Sequence, residues 1–128
     1  MSEPARASVR YLVDDVDAAI EFYTAHLGFT VNMSRAPAFA DVARGPLRLL
    51  LSGAASSGAR ATPPDVADSP GRNRINLVVD DLDAEVARHR ANGLTFVSDV
   101  VSGPGGSQVL IADPSGNLVE LFQPAETT

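Results

Sequence analysis

The chain contains no cysteine, no tryptophan and no lysine. Without cysteine it has no disulfide framework, no thiol nucleophile and no zinc–thiolate site. Its ten basic residues are therefore all arginine, which fits a coding bias toward high GC content better than a functional demand. Sixteen acids outnumber them, and the formal charge is −6. That balance disfavours nucleic acid or an anionic membrane as the main partner, because phosphate binding needs a basic surface. Aromatic residues are scarce, with five Phe and two Tyr, so few surfaces exist on which a planar ligand could stack. No apolar run approaches the roughly 20 residues that span a bilayer. The opening residues, MSEPARASVRYLV, lack a basic-then-apolar signal region. The expectation is a cytoplasmic protein of 128 residues, large enough for one compact domain.

What the chain does have is a repeat. Residues 9–31 read VRYLVDDVDAAIEFYTAHLGFTV, and residues 75–97 read INLVVDDLDAEVARHRANGLTFV. Val13-Asp14-Asp15 matches Val79-Asp80-Asp81, and Asp17-Ala18 matches Asp83-Ala84. The offset is 66 residues, falling to 65 at Gly28 and Gly93. A duplication at half the chain length predicts two copies of one supersecondary module, with the seam between them as the natural place for a ligand.

Val9, Tyr11 and Val13 alternate with Ser8, Arg10 and Leu12, the period of a strand with one buried face. Asp14-Asp15 stops it. Asp15 or Asp17 can cap the next helix, since a short acidic side chain accepts bonds from free N–H groups at a helix start. Ala18, Ala19, Phe22, Tyr23 and Leu27 recur at helical spacing, and Gly28 sits where a helix end favours a left-handed residue. Three strands are predicted to follow, at Phe29–Met33, Ala38–Ala43 and Leu47–Leu51. Residues 53–74, rich in Gly, Pro, Ser and Asp, read as a linker, a lid, or both. The second module is expected to run as strand Ile75–Val79, helix Leu82–Asn92, and strands Thr95–Val101, Ser107–Ala112 and Leu118–Phe122. Gly103-Pro104-Gly105-Gly106 and Asp113-Pro114-Ser115-Gly116-Asn117 read as turns.

This order of elements, with VDDVDAAIEFYTAHLGF early and ADPSGNLVELFQP late, resembles the vicinal oxygen chelate superfamily. That group includes glyoxalase I, bleomycin-resistance proteins, fosfomycin-resistance enzymes and extradiol dioxygenases. The resemblance covers residues 8–124. It implies an α+β fold of two βαβββ modules, at about 8–52 and 74–124, joined by a linker at about 53–73. The whole of residues 1–128 would then be a single domain whose curled mixed sheets form a shared cavity, usually within a homodimer. It does not imply one chemistry, because the scaffold serves unrelated functions.

Enzymes of the family hold a divalent metal with two side chains from each module, one on its first strand and one on its last. The matching positions here are Ser8 and Leu50, and Arg74 and Glu120. Only Glu120 is a competent ligand. Ser8 is a poor one, Leu50 has no donor atom, and Arg74 carries a permanent positive charge. His26 and His89 fall in the two helices, which pack outside the sheets in this fold, so both read as surface histidines. The expectation is no metal and no other cofactor, and so no Lewis-acid chemistry of the ordinary family type.

Strand parity then assigns the ligand-facing side chains. Val9, Tyr11, Val13, Ile75, Leu77 and Val79 pack under the helices, and the opposite face carries Ser8, Arg10, Arg48, Leu50, Arg74, Asn76 and Glu120. Those residues are the candidate ligand-binding set. Arg74 and Glu120 can form a bidentate ion pair that is purely structural, or one that lines a pocket; the two are compatible. Asp14-Asp15 and Asp80-Asp81 read as caps rather than as paired catalytic carboxylates. Ser8, Ser52 and Ser107 have no His partner that would make a nucleophile. Three functions stay open. The first is a binding protein of the bleomycin-resistance type that sequesters a small molecule. The second is a metal-free lyase or isomerase with Glu120 as catalytic acid or base. The third is a glyoxalase- or dioxygenase-like metal enzyme with ligands elsewhere.

Overall fold

A computed structural model describes residues 7–61 and 73–126. The chain divides into two compact units, Met1–Ser69 and Pro70–Thr128. In the first unit, β1 (Ala7–Leu12) leads into α1 (Val16–His26), then β2 (Thr30–Arg35), β3 (Phe39–Arg44), β4 (Leu47–Ser52) and a short α2 (Ser57–Arg60). The second has β5 (Ile75–Val78), α3 (Leu82–Ala91), β6 (Thr95–Phe96), β7 (Val101–Gly103), β8 (Gly106–Ala112) and β9 (Leu118–Pro124). Both sheets are mixed. The first runs β1-β4-β3-β2, with β1 parallel to β4 and the other neighbours antiparallel. The second runs β5-β9-β8-β6, with β5 parallel to β9 and β7 also paired to β8. The βαβββ plan is thus present twice. Among the described residues no helix is long and apolar enough to cross a membrane.

The duplicated sequence builds duplicated local devices. Asp15 Oδ1 accepts from Ala18 N at 3.0 Å, and Asp81 Oδ1 accepts from Ala84 N at 3.1 Å. Each satisfies an N–H that a helix start would otherwise leave unpaired. Each helix ends on a glycine in the left-handed region, Gly28 at φ 74° and Gly93 at φ 76°. In the first unit Tyr11, Val13, Ala40, Val42, Leu49 and Leu51 are buried on the sheet face that α1 covers with Val16, Ala19, Phe22 and Tyr23. Full burial of a leucine such as Leu49 or Leu51 contributes about 1.5–3 kcal/mol. In the second, Ile75, Leu77, Val109, Ile111, Val119 and Leu121 form the equivalent layer beside α3.

Three expectations change. The strand expected over Thr95–Val101 is broken into β6 and β7. Ser98 causes the break: its Oγ accepts from Leu110 N at 3.0 Å, taking the place of a ladder carbonyl. His89 is not a surface residue but completely buried, with Nε2 2.9 Å from Glu85 Oε2. It occupies the repeat position of Tyr23, which is also completely buried, so both helices aim this position into the core. His26 is half-buried, with its ring 6.0 Å from that of Phe22. The linker region contains α2, capped by Ser56, and residues 62–72 of it lie outside the described residues.

Candidate functional site

The sheet faces that the helices do not cover hold the candidate residues. In the first unit, β1 places Ser8, Arg10 and Leu12 beside Arg48, Leu50 and Ser52 of β4, and β3 places Ala43, Asp41 and Phe39 beside those. The face is polar at its middle. Arg48 donates to Asp41 Oδ2 from Nη2 at 2.7 Å and from Nε at 3.1 Å. Asn32, the extra residue where the β2–β3 register shifts between Val31 and Met33, donates to Asp41 Oδ1 at 3.3 Å. Asp41 is buried, so these donors replace the water it loses. The hydrogen bond from Arg48 to Asp41, and then the charge of that carboxylate, hold the Arg48 guanidinium above the ordinary arginine value. Arg10 Nη1 donates to the buried Ser52 Oγ at 2.9 Å.

In the second unit, Asn76 pairs with Glu120 in the β5–β9 register, and Leu110 of β8 lies on the other side of Glu120. Arg74 immediately precedes β5. Its Nε donates to Glu120 Oε1 at 2.8 Å, while Asn76 Nδ2 donates to Oε2 at 2.8 Å. The Glu120 side chain is 11% exposed and that of Arg74 35%. Both carboxylate oxygens are therefore engaged, yet a carboxylate offers about four acceptor sites, so a ligand donor can still reach it. Val78 and Phe122 continue this face, with Val78 exposed and Phe122 half-buried.

The structure thus brings together Arg74, Asn76 and Glu120 in one hydrogen-bonded cluster. Ser8 stands next to Arg48, and Arg10 next to Leu50, along β1 and β4. Sequence reasoning missed Asp41, which takes Arg48 as its partner. The available signal was an acidic residue inside the apolar strand FADVAR, where a carboxylate needs a buried partner. It also missed Ser52 as the anchor of Arg10, and Phe39 and Phe122 as the aromatic surfaces of the two open faces.

The donor set does not fit a divalent metal of the family type. Leu50 has no donor atom, Ser8 is a weak ligand, and Arg74 presents its guanidinium to the one carboxylate. Among the described residues no three His, Asp or Glu side chains group as metal ligands would.

Residues 6–121 match the model of the Glyoxalase/Bleomycin resistance protein/Dioxygenase superfamily. No curated protein sequence matches the chain. Among solved structures, TnmS3, an antibiotic binding protein from Streptomyces sp. CB03234, is 26% identical with a TM-score of 0.72, over 98% of this chain and 99% of its own. A lactoylglutathione lyase from Agrobacterium tumefaciens is 26% identical with a TM-score of 0.73, over 95% and 96%. A glyoxalase/bleomycin resistance protein/dioxygenase from Nocardioides is 26% identical with a TM-score of 0.70, over 100% and 88%.

Proposed function

This chain belongs to the Glyoxalase/Bleomycin resistance protein/Dioxygenase superfamily, and from that premise we propose that it binds a small organic molecule without the usual metal. The observation that carries this reading is the occupation of Glu120. The only competent donor among the four family ligand positions has its two oxygens held by Arg74 and Asn76. A cation would have to displace a guanidinium and would gain one carboxylate and no second strong ligand. Each open face instead sets directional polar groups beside apolar ones: Arg10 with Leu50 and Phe39 in the first unit, and Arg74, Asn76 and Glu120 with Val78 and Phe122 in the second. That mixture suits an organic ligand with a few hydrogen-bonding groups. Similarity to an antibiotic binding protein supports sequestration as the outcome of binding. We place the protein in the cytoplasm as a homodimer, in keeping with the family pattern.

Similarity to a lactoylglutathione lyase favours a second reading, a metal-free lyase or isomerase in which Glu120 moves a proton. One substitution separates the two. Untagged protein treated with a chelator is screened against a library of natural-product-like small molecules by ligand-observed NMR, and hits are tested for turnover. Sequestration predicts binding with no chemical change to the ligand, for the native chain and for Glu120→Gln alike. Turnover that Glu120→Gln abolishes while binding persists would replace it with the enzyme reading. A chelator-treated protein that binds nothing, but recovers binding with added metal, would overturn both.

A further inference from the structure

The first unit's open face is basic in an acidic protein. Across it stand three arginines, Arg10, Arg35 and Arg48, and one carboxylate within the strands, Asp41. The chain as a whole carries −6. The three arginines are not equivalent. Arg48 is committed to Asp41, as Arg74 is to Glu120 in the second unit. Arg35 is exposed at the end of the edge strand β2. Arg10 is exposed midway along β1, the other edge strand, and among the described residues it has no carboxylate partner; Asp14 lies beyond the end of β1.

What holds Arg10 is neutral. Ser52 Oγ, completely buried, takes one of its five N–H donors and so orients the guanidinium without neutralising it. Leu50 is its partner on β4, Leu12 follows it on the same face of β1, and Phe39 of β3 pairs with Ser52. A fixed guanidinium with free donors beside an apolar strip matches one ligand chemistry. The planar fork suits the paired oxygens of an organic acid, and the strip suits its apolar body.

Resting on the binding reading above, we infer that the ligand is an organic anion whose acidic group is taken by Arg10. Ser52 acts as the positioning residue, and the ligand's hydrocarbon portion lies along Leu12, Leu50 and Phe39. This assigns a class, apolar acids, and a polarity: neutral analogues of the same shape bind less well, and cationic ones least.

The test uses 2-naphthoate and its neutral counterpart 2-naphthamide, titrated calorimetrically into the full chain. The expected result is naphthoate binding about tenfold tighter than naphthamide, a preference that shrinks as salt is raised. Arg10→Gln should erase the preference and leave naphthamide affinity unchanged, with circular dichroism confirming the fold. Arg88→Gln, which removes a guanidinium on the exposed side of α3, should keep the preference. In the native chain, naphthoate should also shift the Arg10 Nε–H resonance. Equal affinity for the two probes, or a preference that survives Arg10→Gln, overturns the assignment while leaving small-molecule binding in place. Failure of both probes to bind also overturns it, and the library screen then decides the binding reading separately.

Discussion

Arg74 Nε lies 2.8 Å from Glu120 Oε1, and these two residues occupy both second-module positions at which the family pattern places metal ligands. The cation beside the Glu120 carboxylate is thus a side chain, the guanidinium of Arg74.

That pairing can be weighed by a double-mutant cycle of Glu120→Gln and Arg74→Met, read by urea denaturation. Glu120→Gln leaves Arg74 without its carboxylate and should cost about 1–2 kcal/mol, with solvent screening at the partly exposed Arg74 limiting the loss. The coupling between the two sites should be about 1 kcal/mol. Additive single effects would show that the two side chains are merely adjacent.

Asp41 should be a structural anchor of the first sheet. Asp41→Asn removes the negative charge and leaves one acceptor oxygen for the donors of Arg48 and Asn32, so it should lower the urea midpoint. The pH dependence of this loss follows from Arg48, whose folded value lies above the unfolded one. Stabilisation from such a group is fully present below the unfolded value and is lost only as pH rises through the folded value. Arginine stays protonated throughout the neutral and mildly alkaline range, so the deficit of Asp41→Asn relative to the native chain should be the same at about pH 7 and about pH 9. A deficit that shrinks over that interval would show that another group controls the pair.

The glycines separate conformational cost from steric cost. Gly93 has φ 76° and open space around a built Cβ, so Gly93→Ala should cost only about 1 kcal/mol of backbone strain. At Gly53 a Cβ would lie 2.6 Å from the Pro37 carbonyl oxygen and 3.0 Å from Val16 Cγ2. Backbone cannot yield cheaply, so Gly53→Ala should cost about 2–3 kcal/mol or prevent folding. Thermal melts of the two variants would contradict this if Gly93→Ala were the worse.

His89→Ala should destabilise by about 2–4 kcal/mol, because it empties a completely buried site in the core. A loss below about 0.5 kcal/mol, the range of surface substitutions, would restore the surface reading.

The contrast between His89 and the strands shows what the sequence made legible. Alternation in SVRYLV and INLVV reveals which side chains share a face, because a strand's period of two is rigid. The repeated Asp caps and glycine stops reveal the helices for similarly local reasons. Helix α3 is harder to read. Its apolar positions are few, and a histidine at the position of Tyr23 looks polar until the repeat alignment places it in the core. The Arg74–Glu120 pair was within reach, since both residues could be placed by their distance from repeated motifs. Asp41 and Arg48 had no such landmarks. Their meeting depends on the β3–β4 register, which a seven-residue separation and a Gly45-Pro46 turn do not announce. The break at Ser98 was hidden because a serine hydroxyl replacing a ladder carbonyl leaves no periodic trace.

The most direct measurement is calorimetric titration of untagged, chelator-treated protein with Mn²⁺, Ni²⁺, Zn²⁺ and Fe²⁺. Arg74→His, which exchanges the guanidinium for an imidazole beside Glu120, serves as the comparison. The expected result is no stoichiometric binding to the native chain and weak Ni²⁺ or Zn²⁺ binding to Arg74→His. One tightly held metal per native chain, lost in Glu120→Gln, would contradict it.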